Sequence, residues 1–166
     1  MTTNYQKVDE FNRIFGVKLY PELNPNVLQD DPVLVEQRMK LIREEMRELE
    51  DAVRDNDIVE TVDALADILY VVYGMCNALG VDADEAFRIV HENNMSKLCS
   101  TEEEAKETVR YYEENKEKLG YDSPDYRETE NGRWAVFNRS TKKVLKSIKW
   151  KPVDLHHFCF SQKGQK

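Results

Sequence analysis

The 166-residue chain lacks long apolar runs, and its few cysteines do not follow a metal-binding or disulfide spacing. No stretch approaches 18 uninterrupted apolar residues, which argues against a membrane span. The first residues, MTTNYQKVDEF, contain no apolar core of the kind found in signal peptides. The three cysteines are widely spaced and odd in number, which favours reduced thiols and a cytoplasmic protein.

Several motifs that would indicate a common active site or metal site are also missing. The absence of CxxC and HExxH argues against zinc, and no EF-hand, P-loop or Gly-x-Ser-x-Gly pattern occurs. A ferritin-like di-iron site needs Glu-x-x-His motifs. None of the three histidines (His91, His156 and His157) has a glutamate three residues before it.

Charge is distributed unevenly along the chain, whose net charge is −8. Residues 1–132 hold 15 Lys/Arg against 31 Asp/Glu, a balance of −16, whereas residues 133–166 hold 9 against 1, a balance of +8. The acidic part makes a nucleic acid polymer a poor partner. The basic tail could fold back on the acidic part, reach a partner subunit or contact an anionic substrate.

Carboxylates occur on two consecutive helical patterns, residues 33–53 and Ile58–Leu79, separated by a short polar break. The second pattern is apolar almost all round, which predicts a buried helix. It nevertheless carries Glu60, Asp63 and Asp67, which fall within an arc of about 60° on a helix. Like charges side by side in a buried position need a cation between them, and oxygen ligands favour Mg²⁺, with Mn²⁺ as the alternative.

An antiparallel helical hairpin predicts which acids face each other. With its turn near Asn56, residues whose numbers sum to about 112 lie at the same height. Glu45 is then level with Asp67, and Glu48 lies beside Asp63. The predicted acid cluster is therefore Glu45, Glu48, Asp63 and Asp67, with Glu60 next and Glu44 pointing towards solvent.

The remaining chain predicts further helices and a C-terminal β-hairpin. Helices are expected over residues 4–15, from Asp82 to about residue 98, and over residues 101–119. The last of these has a narrow apolar face and is expected to lie at the periphery of the fold. Residues 121–131 read as a turn-rich connection. Residues 134–138 and 143–150 predict two strands, with Trp134 and Trp150 at the open end of the hairpin, and residues 161–166 are expected to fray.

The predicted fold is thus all-α, a bundle of four to five helices with a small C-terminal β-hairpin. Two domains are expected, an all-α domain over residues 1–120 and a basic extension over 121–166. We expect the hairpin to pack against the helices near enough to the acid cluster to close over a ligand bound there.

The acid pattern resembles that of the all-α NTP pyrophosphohydrolases, which include MazG-like enzymes, dimeric dUTPases and phosphoribosyl-ATP pyrophosphatases. Residues 45–48 (EMRE), 63–74 (DALADILYVVYG) and 91–97 (HENNMSK) carry the resemblance, the last two being similar to the phosphoribosyl-ATP pyrophosphatase branch. The family pattern is Glu-x-x-Glu, a spacer and Glu-x-x-Asp. If its last residue is Asp67, the preceding Glu position holds Ala64. If the pair is Glu60 and Asp63, the spacer of 11 residues is short, so either Glu60 or Asp67 completes the metal site.

The resemblance implies Mg²⁺-dependent cleavage of a nucleoside triphosphate to the monophosphate and pyrophosphate, by a cytoplasmic homodimer or homotetramer. Glu45 and Glu48 are the candidates for the general base, and either could be a metal ligand instead. Asn94 and Lys97 would bind phosphate oxygens, and Tyr70 would line the site. Two alternatives stay open, a phosphoribosyl-ATP pyrophosphatase of histidine synthesis and a non-catalytic helical interaction module.

Overall fold

The structure, a computed structural model, describes residues 1–160, so the fraying expected for 161–166 lies outside its range. The helices of the described chain are α1 (Asn4–Ile14), α2 (Val27–Asp30), α3 (Pro32–Arg54), α4 (Ile58–Leu79), α5 (Ala83–Met95), α6 (Glu102–Glu114), α7 (Lys116–Leu119) and α8 (His156–Phe160). The strands β1 (Pro124–Glu128), β2 (Trp134–Asn138) and β3 (Val144–Leu145) form an antiparallel sheet in the order β1-β2-β3. The prediction of a helical protein with a small C-terminal β-structure is therefore confirmed.

The described chain divides into two compact units, one of residues 1–87 with 155–160 and one of residues 88–154. The division falls between Phe87 and Arg88, inside α5. The boundary predicted near residue 120 was drawn from composition and charge, whereas the two units are defined by packing. The compositional domains of residues 1–120 and 121–166 stay a prediction.

Helix ends in the first unit follow local capping signals. Thr3 and Gln6 form a capping box at the start of α1. The Asp31 carboxylate accepts a hydrogen bond from the Leu34 amide, and Pro32 is the first residue of α3. Gly80 ends α4 with a φ of 72°, and a Cβ there would lie 2.4 Å from the backbone of Glu22. Only glycine fits this turn, because both its conformation and its close approach exclude a side chain.

Helix α4 packs on α3 and α1, but much of its apolar surface is exposed in the single chain. Five apolar side chains spaced along one face of α4 are between 38% and 72% exposed, namely Ile58, Val62, Leu65, Leu69 and Val72. We call this surface the α4 stripe. The single chain leaves this stripe uncovered because too few helices of the first unit flank α4. Burial of the outer face of α4 by a second copy of the chain stays a prediction.

By length and composition, α4 is the one helix of residues 1–160 that could cross a membrane, and core helices of soluble proteins meet the same criterion. Its acids Glu60, Asp63 and Asp67 would be costly inside a bilayer. Contact with a protein surface would bury the apolar stripe and leave the acids in water.

The second unit is built around α6, which the sequence predicted to be peripheral. Ala105 and Tyr112 of α6 form a core with Cys99, Val136 and Leu145. Thr108, fully buried between them, donates to the Glu104 carbonyl and accepts from the Ile148 amide. The prediction was wrong because small and polar residues make up this face, and they allow the sheet to approach the helix closely.

The sheet also differs from the predicted hairpin. Residues 121–131 were expected to form a turn-rich connection, yet β1 lies there and pairs with β2 from Pro124 opposite Asn138 to Glu128 opposite Trp134. Proline fits this position because it begins an edge strand. The strand predicted over 143–150 is only β3, two residues long.

The two tryptophans do not meet across the sheet as predicted. Trp134 pairs with Cys99 through two backbone hydrogen bonds of 2.8 and 2.9 Å, whereas the Trp150 indole donates to the Asn93 carbonyl at 3.2 Å. The hairpin was expected to pack against helices, and its partner is α6 of the same unit. Closure over bound nucleotide stays a prediction.

Candidate active site

The turn between α3 and α4 sets the direction and the start of the second helix. Asn56 takes the left-handed conformation with a φ of 54°, which asparagine tolerates better than most residues. The Asp57 carboxylate then accepts hydrogen bonds from the amides of Val59 and Glu60 at 3.0 and 3.1 Å. These contacts cap α4 and lead it back along α3.

One contact between α3 and α4 is made by Arg38 near Gly74. A guanidinium nitrogen of Arg38 lies 3.5 Å from the position that a Cβ on Gly74 would take. Their numbers sum to 112, as do those of Glu45, seven residues after Arg38, and Asp67, seven residues before Gly74. Seven residues make two helical turns, or about 10 Å. This contact agrees with the helix register from which the acid cluster was predicted.

Glu45 has an unusual environment for a carboxylate. Its Oε2 atom is buried and has no hydrogen-bond partner among the described residues. Burial raises the pKa of Glu45, and the charges of Glu48, Asp67, Glu44 and Asp63 raise it further. The structure thus brings Glu45, Glu48, Asp63 and Asp67 to one face of the helical hairpin, so that a negative field surrounds an unpartnered oxygen.

Two other acids differ in their relation to this face. Glu60 is exposed in the first turn of α4 and is not among the charges that raise the pKa of Glu45. Glu44, predicted to point towards solvent, does act on Glu45, although its side chain is half-exposed and pairs with Lys40 at 3.6 Å. Of the two acids between which the sequence left a choice, Asp67 is the one that acts electrostatically on Glu45.

A divalent cation fits the chemistry of this face. Carboxylate oxygens are the ligands that Mg²⁺ and Mn²⁺ prefer, and the unpartnered Oε2 of Glu45 lacks only a positive partner. Within residues 1–160, however, no three acidic, histidine or cysteine side chains already converge as a metal site. Holding an ion would therefore require these exposed side chains to change rotamer, which side chains at a surface do readily.

The predicted substrate-binding residues lie in different surroundings. Tyr70 packs edge-on against Phe11 of α1, with ring centroids 5.5 Å apart. Asn94 and Lys97 belong to the second unit, and the Lys97 ammonium donates to the Asn94 side-chain oxygen at 2.6 Å. Helix α5 ends at Met95, so Lys97 lies in the following turn and not, as predicted, on the helix itself.

Arg38 is a candidate that the sequence reading missed. Its side chain is half-buried, burial lowers its pKa, and no ion pair is recorded for it in the described residues. It precedes Glu45 by seven residues and so lies two turns away on the same face of α3. That spacing was the signal available in the sequence. An unpaired cation beside an acid cluster is suited to an anion that spans both.

Comparison with known proteins gives a consistent result. The family model described as phosphoribosyl-ATP pyrophosphohydrolase matches residues 8–94, more than half of the chain. This range contains α3, α4 and every acid of the site. An uncharacterised protein of Acanthamoeba polyphaga mimivirus is 29% identical, and the alignment covers 87% of this chain and 91% of the viral protein.

Proposed function

Since the chain belongs to the phosphoribosyl-ATP pyrophosphohydrolase family, we propose that it is a Mg²⁺-dependent nucleoside triphosphate pyrophosphohydrolase. Family membership indicates a pyrophosphohydrolase. The finer proposal is that a (d)NTP and water give the (d)NMP and pyrophosphate. The observation that carries it is the unpartnered carboxylate oxygen of Glu45 in the field of four neighbouring acids.

The acid face explains why such an enzyme needs a metal ion. A triphosphate is strongly anionic and would be repelled by Glu45, Glu48, Asp63 and Asp67 without an intervening cation. Bound Mg²⁺ supplies charge neutralisation on the phosphates and makes a water molecule more acidic. We propose Asp63, Asp67 and one of the two glutamates as its ligands, with Glu60 as a reserve candidate.

The other glutamate is proposed to remove the proton from the attacking water. Burial and the neighbouring acids raise the pKa of Glu45, which makes it a stronger base than an ordinary carboxylate. Glu48, one turn further along α3, would then be a ligand. Arg38 is proposed to bind phosphate oxygens beyond the acids, because its guanidinium has no acidic partner within residues 1–160.

A homodimer or homotetramer is also proposed, and the α4 stripe supports it. The stripe places five large apolar side chains in one row on the surface of the single chain. Surfaces of this kind mark protein contacts. A second copy packing along α4 would cover the row and leave the acids, on the other side of the helix, open to substrate.

The test of the proposed function is pyrophosphate release across all NTPs and dNTPs, with phosphoribosyl-ATP included and with Mg²⁺ present or removed. Asp63→Asn and Glu48→Gln are expected to lower turnover at least 100-fold while circular dichroism stays unchanged. Arg38→Gln is expected mainly to raise KM. Glu50→Gln is the matched control, because Glu50 is exposed on α3 away from the acid face.

The panel also separates the alternatives. Preference for phosphoribosyl-ATP over every NTP would identify the histidine-synthesis enzyme instead. No pyrophosphate from any substrate would favour the non-catalytic interaction module. Near-normal turnover in either acid variant would remove that residue from the site.

A further inference from the structure

The sheet of the second unit has two faces with different surroundings. Successive side chains of a strand alternate between faces, and paired residues share a face. Tyr126 and Val136 are paired and belong to the face that packs on α6. Arg127 and Ala135 are the next pair, so they lie on the opposite face.

A cavity of about 580 Å³ lies on this opposite face, within the second unit. Arg127, Ala135 and Val144 line it from the sheet, and Asn94 and Lys97 line it from the end of α5. The volume is within the range of small-molecule binding sites. The family match ends at residue 94, so the contribution of the sheet lies outside the matched segment.

The polar groups of the cavity carry an excess of positive charge. Neither Lys97 nor Arg127 has an ion pair recorded in the described residues, and the Lys97 ammonium donates to the neutral side-chain oxygen of Asn94. The Nδ2 group of Asn94 also has no recorded partner in this part of the chain. The acid on the cavity wall is Glu130. Two cations and an amide donor therefore line the cavity together with one carboxylate.

We propose that this cavity binds a small molecule through its phosphate monoester group, without a metal ion. The guanidinium of Arg127 can hold two phosphate oxygens at once, while Lys97 and Asn94 supply donors from the opposite wall. Ala135 and Val144 give the cavity an apolar side against which the organic part of the ligand packs. The proposal stands on this cavity alone and does not depend on turnover at the acid face.

Calorimetric titration of the full chain in buffer with EDTA tests the proposal, because chelation removes metal-mediated nucleotide binding. The probes are AMP, ribose 5-phosphate and inorganic phosphate, and adenosine is the probe without phosphate. We expect AMP or ribose 5-phosphate to bind and adenosine not to bind. Which of the two binds more tightly shows whether the ligand is a nucleotide or a sugar phosphate.

Variants then locate the binding. Arg127→Gln and Lys97→Gln should each weaken phosphate binding about tenfold or more, and Glu130→Gln should strengthen it. Arg110→Gln is the matched control, since Arg110 is exposed on α6 of the same unit and does not line the cavity. Asp63→Asn should leave this binding unchanged even if it abolishes turnover.

Two results would overturn the proposal. One is the absence of binding by every phosphate-bearing probe in EDTA. The other is an equal loss in Arg110→Gln and Arg127→Gln, which would show attraction to the general charge of the unit. Arg127→Lys keeps the positive charge but loses the bidentate geometry of the guanidinium, so its affinity for the phosphate probe should lie between those of wild type and Arg127→Gln. This intermediate affinity would also show that the loss in Arg127→Gln does not come from misfolding.

Discussion

At the scale of single residues, Glu45 combines a functional proposal with a cost in stability. Burial and the neighbouring acids raise its pKa, so folding disfavours the charged form relative to the unfolded chain. An acid with a raised folded-state pKa disfavours folding at any pH above that pKa, and the cost disappears as the pH falls below the unfolded-state value. Stored strain of this kind is typical of sites that await a ligand.

Glu45→Gln should therefore raise the melting temperature at pH 7 in EDTA and, at the same time, lower turnover at least 100-fold. Glutamine keeps the size of the side chain and removes the charge. Scanning calorimetry and pyrophosphate release measure the two effects, with Glu50→Gln as the control. If Glu45→Gln melted at a lower temperature than wild type in EDTA, the charge of Glu45 would not destabilise the folded chain.

Among the elements, α4 is an amphipathic helix whose apolar face stays exposed in the single chain. Its stripe of exposed apolar side chains and its acid face lie on different sides of one helix. Helical periodicity fixes both sets together, so the stripe cannot be buried by rotating the helix without moving the acids. Cover from another copy is the solution consistent with the proposed active site.

Leu65→Glu with Leu69→Glu should convert the proposed oligomer to a monomer. Leu65 and Leu69 are 48% and 54% exposed in the single chain, so the charges are tolerated there and repel across a symmetric contact. Light scattering at micromolar concentration measures the mass. Leu28→Glu, at a comparably exposed leucine of α2, should leave it unchanged. A monomeric wild-type chain would contradict the assembly.

Another prediction at this scale concerns α6 and the segment after β3. Glu104 is buried and accepts hydrogen bonds from the Ser100 amide and the Lys149 ammonium, both at 3.2 Å, and from the Ser147 hydroxyl. Burial alone would raise the pKa of Glu104, but these hydrogen bonds outweigh it and lower the pKa. The resulting stabilisation is present above the unfolded-state value and is lost as the pH falls through the folded-state value.

Glu104→Gln should consequently destabilise the second unit by about 1–3 kcal/mol at pH 7, because it removes charged hydrogen bonds from a buried position. The difference from wild type should shrink below pH 4.5. Amide hydrogen exchange along α6 measures it locally. Glu107→Gln, on the exposed side of the same helix, should have little effect. Equal exchange in the two variants would contradict the role of Glu104.

On the scale of the whole molecule, the proposed binding of Mg²⁺ at the acid face should stabilise the chain beyond the effect of salt. At a concentration of about 100 times the dissociation constant, binding adds about 2.7 kcal/mol, or roughly 5–10 °C in a chain of this size. Sodium chloride of equal ionic strength should give less, because it only screens the net charge of −8. Equal shifts with both salts, or a full Mg²⁺ effect in Asp63→Asn, would argue against a metal site at the acids.

The sequence by itself determined the helical hairpin and the grouping of its acids. Periodicity is local, so α3 and α4 could be placed and aligned in advance. The structure shows that residues at their ends, Asp31, Asp57 and Gly80, cap them. The same reasoning placed Glu45 opposite Asp67. It did not identify Arg38 as a candidate for phosphate binding. The spacing places Arg38 on the same face of α3 as Glu45, but the sequence near Arg38 does not show whether an acidic side chain pairs with it.

Only the tertiary structure decided the second unit. Tyr126 and Arg127 lie in a segment rich in turn formers, and their strand exists because β2 supplies its hydrogen-bonding partner. Helix α6 is central because Val136 and Leu145, more than twenty residues further along the chain, cover its small side chains. Strand pairing and core packing join residues distant in sequence, so local propensity does not determine them. For the same reason the cavity between Lys97 and Arg127 could not be read from the chain alone.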